Sequence, residues 1–424
     1  MGKNFYKIVF IFIFTLAVIF VGTAQDKITL SQSSVVSMIT IYEGDQIYSL
    51  FGHSAFRVYD PENGIDLMYN YGTFNFSDGF FVLKFIEGKL DYYLDIDPFQ
   101  RALRYYVIIE GRKVFEQVLD LDLKQRQALF EFLEENGKPE NRVYRYDFIW
   151  DNCSTRIADA IDRVFPGLVD YSAYKGVDRT YGSFRKMIMS YLDETPFANF
   201  GIQLVLGSLT DRTPEGHELF FLPLYMKEAF SKAVIKTENG TIPLVLREAM
   251  IASPERDSNK KPDYPFFIFM SVLVIYFVSL VLQYKKNIFP NKNSVILKLP
   301  GIASALCEAF VFLFAGTLGL LITYLWFFSE HTVTALNFNY LWCTPLNLIL
   351  FAGMFLKRKS SFRRYLFLSV RALSLVMCVV YLICIAAGVQ YALPAFFPIV
   401  LFLIAAGVRK YIEENTWLRW FGKA

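Results

Sequence analysis

The sequence predicts an α+β exported domain followed by an α-helical membrane domain of five spans. Three observations carry that expectation. An apolar run near the N-terminus stands behind two lysines, residues 265–424 are crowded with long apolar stretches, and residues 27–260 between them mix polar and apolar types. The composition agrees, with 424 residues that are 54% apolar and only 20% charged, and a mean hydropathy of +0.32. Soluble domains hold about 45–50% apolar and about 25% charged residues. A net charge of +3 lacks the basic excess of a nucleic-acid binder. Five cysteines and three histidines are too few for a zinc or disulfide framework, so neither a metal nor a cofactor is expected.

Residues 8–21 (IVFIFIFTLAVIFV) follow Lys3 and Lys7, and Gly22 and Ala24 supply small residues before the polar Gln25-Asp26-Lys27. This is a secretory signal peptide pattern over 1–24, or an uncleaved anchor of the same orientation. Either way the chain from about residue 25 is exported. Residues 25–251 then suffice for one globular domain, and 252–264 form a charged, proline-containing linker.

The strands and helices of that domain follow from local pattern. Met38–Tyr42 and Ser54–Asp60 are rich in β-branched and aromatic residues, and Asp60-Pro61-Glu62-Asn63-Gly64 is a turn. Ile65–Tyr71 returns to make a hairpin, Leu123–Asn136 reads as an amphipathic helix stopped by Gly137, and Val143–Ile149 is strand-like. Ile157, Ile161 and Val164 lie at helical spacing, so a helix over Ser154–Phe165 begins directly after Asn152-Cys153.

Five candidate spans lie at about 265–283, 303–328, 338–356, 365–388 and 393–408, each near the ~20 apolar residues that cross a bilayer. Lysines and arginines follow the first, third and fifth, whereas Ser329–Asn337 and Gly388–Leu393 carry none. The positive-inside rule puts the N-terminal domain outside and the tail 411–424 inside. The protein is thus expected to be multi-pass in a bacterial cytoplasmic membrane, with its domain in the periplasm. Glu308 and Arg371 fall within spans, where charge is costly, and are expected to snorkel or to pair with each other. His331, beside Glu330 in an outer loop, is expected to be solvated.

The chemistry narrows to few residues. Cys307, Cys343, Cys378 and Cys384 lie in apolar spans, where a thiol behaves as a small hydrophobe. Cys153 alone lies in the exported domain, so it has no partner there for a disulfide. At a helix N-terminus its thiol ionises more easily; the plain alternative is a buried, inert cysteine. A thiol nucleophile needs a base and a group that orients that base. The domain offers His53 beside Gly52, and His217 in a turn-rich loop where solvation is the simpler expectation. Asn70, at the end of the returning strand, is a candidate third member through its side-chain oxygen, with Tyr69 and Tyr71 as packing residues.

Gly52-His53-Ser54-Ala55-Phe56-Arg57-Val58, Tyr69-Asn70-Tyr71-Gly72-Thr73-Phe74 and Asp151-Asn152-Cys153-Ser154-Thr155-Arg156 together resemble the Lnb family. These are lipoprotein N-acyltransferases of the Bacteroidota with a periplasmic domain ahead of several spans. The resemblance covers about 27–230, including Phe220-Phe221-Leu222-Pro223. The domain also resembles circularly permuted papain-like folds, such as NlpC-type peptidases and lecithin:retinol acyltransferase. There the histidine precedes the cysteine, often within Asn-Cys opening a helix. His53 before Asn152-Cys153 follows that order, whereas His217 would give the ordinary one. The second histidine of lecithin:retinol acyltransferase has no counterpart here.

The resemblance implies acyl transfer. Cys153 would take an acyl chain from a phospholipid as a thioester and pass it to the α-amine of a diacylglyceryl-cysteine on a bacterial lipoprotein. His53 would handle the protons, and Asn152 with nearby backbone N–H groups would stabilise the oxyanion. Two other classes stay open: a membrane-anchored cysteine hydrolase cutting cell-wall peptides or lipid amides, and a sensor in which Cys153 is dispensable.

Overall fold

A computed structural model describes residues 28–75, 79–174, 182–255, 259–288, 298–356 and 361–414. The apolar run 8–21 and the last ten residues lie outside these. The exported part holds strands β1 (Val35–Ile41), β2 (His53–Asp60), β3 (Ile65–Thr73), β4 (Asp91–Pro98), β5 (Val114–Leu119), β6 (Val143–Arg145), β7 (Val169–Asp170), β8 (Val234–Thr237), β9 (Gly240–Pro243) and β10 (Val245–Ala252). Seven of them form one antiparallel sheet in the order β10-β5-β1-β2-β3-β4-β6, and β7-β8-β9 form a small second sheet. The helices of this part are α1 (Phe81–Glu87), α2 (Phe99–Arg104), α3 (Leu123–Gly137), α4 (Cys153–Val164), α5 (Phe184–Met189), α6 (Pro196–Val205) and α7 (Pro223–Lys232).

Both faces of the large sheet are covered at its centre. Phe56, Val58, Tyr69 and Tyr71 pack with Leu129 and Leu133 of α3 and with Ile157 and Ile161 of α4. Ile39, Ile41, Ala55 and Met68 lie on the other face with Phe99 and Ala102 of α2. Central β1 is accordingly buried at every residue after Val35, and five of its seven residues are apolar, as suits a strand covered on both sides. The expected hairpin is β2–β3, and Asp60 builds its turn by accepting hydrogen bonds from the backbone of Glu62 and the side chain of Asn63. The helix expected at Leu123 starts on a capping box between Asp122 and Gln125. The strand expected over 143–149 stops at Arg145, because the Asp147 carboxylate accepts from the Ile149 and Trp150 N–H groups and turns the backbone.

The membrane part holds α8 (Tyr264–Ile288), α9 (Leu299–Phe327), α10 (Leu346–Phe355), α11 (Ser361–Ala386) and α12 (Phe396–Glu414). Four segments are long and apolar enough to cross a membrane: Tyr264–Tyr284, Leu299–Phe327, Phe338–Phe355 and Phe362–Ala386. The third joins a 3-10 turn at Phe338–Leu341 to α10. The fifth expected span is the shorter apolar helix Phe396–Arg409, whose Ile399, Val400, Phe402 and Leu403 are buried in the bundle. Glu308 pairs with Arg409 at 3.2 Å and accepts from the Tyr276 hydroxyl at 3.0 Å. The ion pair of Glu308 thus reaches the last helix rather than Arg371, which is itself buried.

The exported domain sits on one end of this bundle. The Gly207 N–H donates to the Val333 carbonyl at 2.8 Å, and the Asn337 and Asn339 amides donate to the Leu204 carbonyl. A Cβ on Gly207 would stand 1.7 Å from the Ala335 carbonyl oxygen, so only glycine allows this approach. Wholly buried Arg185 braces the same junction through Asp211 and the carbonyls of Leu206 and Gly207. His331, expected to be solvated, instead donates to the Phe85 carbonyl of α1 at 2.7 Å.

Candidate active site

Cys153 is the first residue of α4, and the preceding Asn152 makes that helix start firm. Asn152 Oδ1 accepts from the Ser154 and Thr155 N–H groups at 2.8 and 3.0 Å, and the Thr155 hydroxyl closes a capping box on the Asn152 N–H. Such a cap contributes about 1 kcal/mol. Asn152 Nδ2 donates to the carbonyls of Phe148 and Phe221. The expected oxyanion role of Asn152 therefore meets a physical obstacle: both amide hydrogens are already engaged, and the side chain works as cap and brace.

His53 opens β2, and the pleat sets its neighbours. Ser54, Phe56 and Val58 turn toward α4, where the Ser54 and Ser154 hydroxyls meet at 3.1 Å. His53 belongs to the opposite set with Ala55 and Arg57. Carrying the β2–β3 register of Phe56 opposite Tyr69 to the strand ends sets His53 opposite Gly72 and diagonal to Asn70. His53 Nε2 and Asn70 Oδ1 lie 3.0 Å apart. An amide oxygen only accepts, so Nε2 carries the hydrogen and Nδ1 is left for the thiol. Asn70 is buried at 6% exposure, and the ring of Tyr106 lies 6.1 Å from that of His53.

The thiol reaches the imidazole across Gly72. The β3–β4 register shifts between Asn70 and Thr73, and Gly72 has φ +91°. A Cβ there would stand 3.3 Å from the Cys153 Cβ and 3.8 Å from His53 Cε1. Burial pushes the Cys153 thiol up. The charge of His53, its hydrogen bond to the thiol, the Ser54 backbone and the Ser154 hydroxyl outweigh burial and leave the thiol below its ordinary value. A thiolate facing an imidazolium is the form that attacks carbonyl carbon.

His217 is elsewhere. Its Nδ1 lies 3.3 Å from the Asp162 carboxylate and its ring packs on Phe220 and Tyr171. Asp162 follows Cys153 by more than two helical turns, about 13 Å along α4, which removes His217 from the thiol.

The end of the sheet that carries Cys153, His53 and Asn70 faces the helical bundle. His53 pairs with Ile41, Ile41 with Val114, and Val114 with Ala252, from which the chain runs on toward α8. On the other side of the site, the outer loop after α9 donates from the Glu330 N–H to the Glu87 carbonyl and from the Thr332 hydroxyl to Asp147. Asp147 is the residue that turns the chain into Asn152-Cys153. The segments that connect the strands at this end expose Ile47, Leu83 of α1, Ile108 and Ile109, the last two at 70% and 73%.

Two family models match the chain. The Lnb N-terminal periplasmic domain matches residues 23–181, and the Lnb transmembrane domain matches residues 257–416. Together they cover about three quarters of the sequence.

The chain belongs to the Lnb family.

It is a multi-pass membrane protein whose N-terminal domain is exported. No curated protein and no solved structure matches it. In this Lnb chain, Cys153, His53 and Asn70 lie together, Cys153 hydrogen-bonded to His53 and His53 to Asn70. Gly72, Ser54 and Ser154 sit in the same sequence motifs as these three, yet their contribution was not foreseen. A glycine within a strand pattern is a signal of close backbone approach, and that signal at Gly72 was readable. Tyr144 and Tyr106 carried no signal, since nothing local distinguishes them from packing aromatics.

Proposed function

We propose that this Lnb protein is a thiol-dependent acyltransferase that moves an acyl chain from a phospholipid to the α-amine of a diacylglyceryl-cysteine on a lipoprotein. The observation that carries the reading is the Cys153–His53–Asn70 arrangement at the sheet end facing the membrane helices. A donor and an acceptor that are both lipid-anchored cannot diffuse to a site remote from the bilayer. The exposed apolar residues Ile47, Leu83, Ile108 and Ile109 suit acyl chains better than soluble wall peptides.

In the first half-reaction the Cys153 thiolate attacks the ester carbonyl carbon. A C–S bond forms, the ester C–O bond breaks, and His53 Nδ1 gives its proton to the departing lysophospholipid oxygen. In the second, the neutral amine attacks the thioester, a C–N bond forms, and the C–S bond breaks. The amine proton passes to Nδ1, restoring the thiolate–imidazolium pair. Asn70 holds the ring in the tautomer that this exchange requires.

A histidine on a strand, preceding a cysteine that opens a helix packed on the same sheet, supports the permuted papain-like reading of the domain. The domain limits of 25–251 and 265–410 with five spans, and residence in the cytoplasmic membrane, belong to this proposal.

Proteoliposomes carrying phospholipid with an isotopically labelled acyl chain test it. The label is expected as a thioester on the Cys153 peptide, and then as an amide on an added diacylglyceryl-cysteine peptide. Label released only as free fatty acid would instead make the protein a hydrolase.

A further inference from the structure

Attack on an ester or thioester turns the carbonyl oxygen into an oxyanion, and the donors aimed at it govern the rate. The Asn152 amide is engaged elsewhere. One hydroxyl in the site is not. Tyr144 of β6 is only 8% exposed, and its buried hydroxyl has no hydrogen-bond partner among the described residues. Buried polar groups are nearly always paired, so an orphan at a reactive centre points to a missing ligand.

Its position is specific. A Cβ built on Gly72 would lie 3.8 Å from the Tyr144 hydroxyl, 3.8 Å from His53 Cε1 and 3.3 Å from the Cys153 Cβ. The hydroxyl, the imidazole and the thiol-bearing carbon thus border one small space. The ring is clamped there: the Arg156 guanidinium sits 3.7 Å from its centroid, held by two hydrogen bonds to Asp151, and Tyr92 and Tyr71 flank it. A cation over the face draws electron density from the ring and makes the hydroxyl a stronger donor.

We propose that the Tyr144 hydroxyl donates a hydrogen bond to the oxyanion formed when Cys153 is acylated and deacylated, as a catalytic residue; the Ser154 and Thr155 N–H groups at the start of α4 are taken by the Asn152 cap. The inference rests on the acyl-transfer reading only for the identity of the acyl group. No proton changes owner. The carbonyl π pair moves onto oxygen as the C–S bond forms, the hydrogen bond strengthens, and the pair returns when the leaving group departs. Burial, followed by the facing thiolate, raises the phenol well above its ordinary value, which keeps it protonated as a donor must be.

Tyr144→Phe keeps the ring, its cation and its neighbours and removes only the hydroxyl. Acylation of Cys153 should be followed in the full-length protein in two ways: with phospholipid, and with p-nitrophenyl butyrate, whose nitrophenolate release needs thiol attack alone. Loss of one oxyanion donor costs about 10²–10³-fold, and that fall is expected with both substrates. The pH profile of Cys153 alkylation by iodoacetamide should stay unchanged, because the phenol acts on the oxyanion. Tyr171→Phe is the control, since Tyr171 also has a buried hydroxyl with no partner among the described residues but lies beside His217. An acylation rate in Tyr144→Phe close to the parent's would overturn the proposal, as would a shifted alkylation profile, which would make Tyr144 a thiol-positioning residue. Should the parent react with the nitrophenyl ester and never with phospholipid, the acyltransferase reading fails, while the nitrophenyl comparison still decides Tyr144.

Discussion

Gly72 and Cys153 stand so close that a single methyl group on Gly72 would press on the Cys153 side chain, with 3.3 Å between the two Cβ positions. Gly72 also has φ +91°, a conformation that costs a residue with a side chain roughly 1–2 kcal/mol. Gly72→Ala is therefore expected to lower the thermal midpoint modestly and to cut Cys153 acylation by about tenfold or more, because small misplacements of reacting atoms are expensive. Unfolding curves and single-turnover acylation measured on the same preparation separate the two effects. An alanine variant with the parent's acylation rate would show that the thiol does not depend on this gap.

Cys153→Ser should reduce acyl transfer to background while the protein still accumulates in the membrane. A hydroxyl stays protonated where the site ionises a thiol. Mass spectrometry of lipoprotein N-terminal peptides from cells relying on the variant reads this directly. N-acylated peptides at the parent level would remove Cys153 from the chemistry.

The two histidines of the exported domain should behave oppositely. His53→Ala removes the base and should cost about 10²–10⁴-fold. His217→Ala should leave transfer near the parent level, since its ring lies with Asp162, Tyr171 and Phe220. Asn70→Ala should fall between them, because it orients the ring without moving a proton. The reverse ranking of His53 and His217 would require the ordinary papain order.

Alkylation of Cys153 followed against pH should show a midpoint below that of an ordinary thiol, as the downward shift requires. The thiolate then persists as pH falls toward that lowered value and is lost beneath it. His53→Ala withdraws the two largest opposing contributions, its charge and its hydrogen bond, so burial prevails and the midpoint should move up. Peptide mass spectrometry confined to the Cys153 peptide keeps the membrane cysteines out of the measurement. A midpoint that His53→Ala leaves in place would break the thiolate–imidazolium pair.

The proposed five spans, starting outside, would leave Ala424 in the cytoplasm. A reporter enzyme active only in the periplasm, fused after Ala424, should therefore stay silent. Strong activity would mean that the shorter apolar helix Phe396–Arg409 does not cross.

What the sequence determined by itself was local. Asn152 before Cys153 is a helix cap wherever it occurs, because the amide oxygen finds the next N–H groups within a few bonds. Asp60 through Gly64 makes a turn for the same reason, and the spacing of Ile157, Ile161 and Val164 marks a helix face. Long apolar runs and the lysine asymmetry around them likewise disclosed an exported domain and a membrane domain without any tertiary contact. The pairing of Cys153 with His53, and of His53 with Asn70, was legible only as compatible residue types in a suggestive order. Their meeting depended on the β2–β3 register, the docking of α4 on the sheet and the side-chain-free gap at Gly72. Local pattern also misjudged residues whose surroundings come from afar. His331 was expected in solvent and lies on α1, Glu308 found Arg409 on the last helix, and the Asn152 amide is consumed by Phe148 and Phe221. Tyr144 reads as one more strand aromatic until the fold buries its hydroxyl beside the thiol. Capping and periodicity act through neighbours within one helical turn, whereas a site built from distant segments exists only once packing has chosen which side chains share a space.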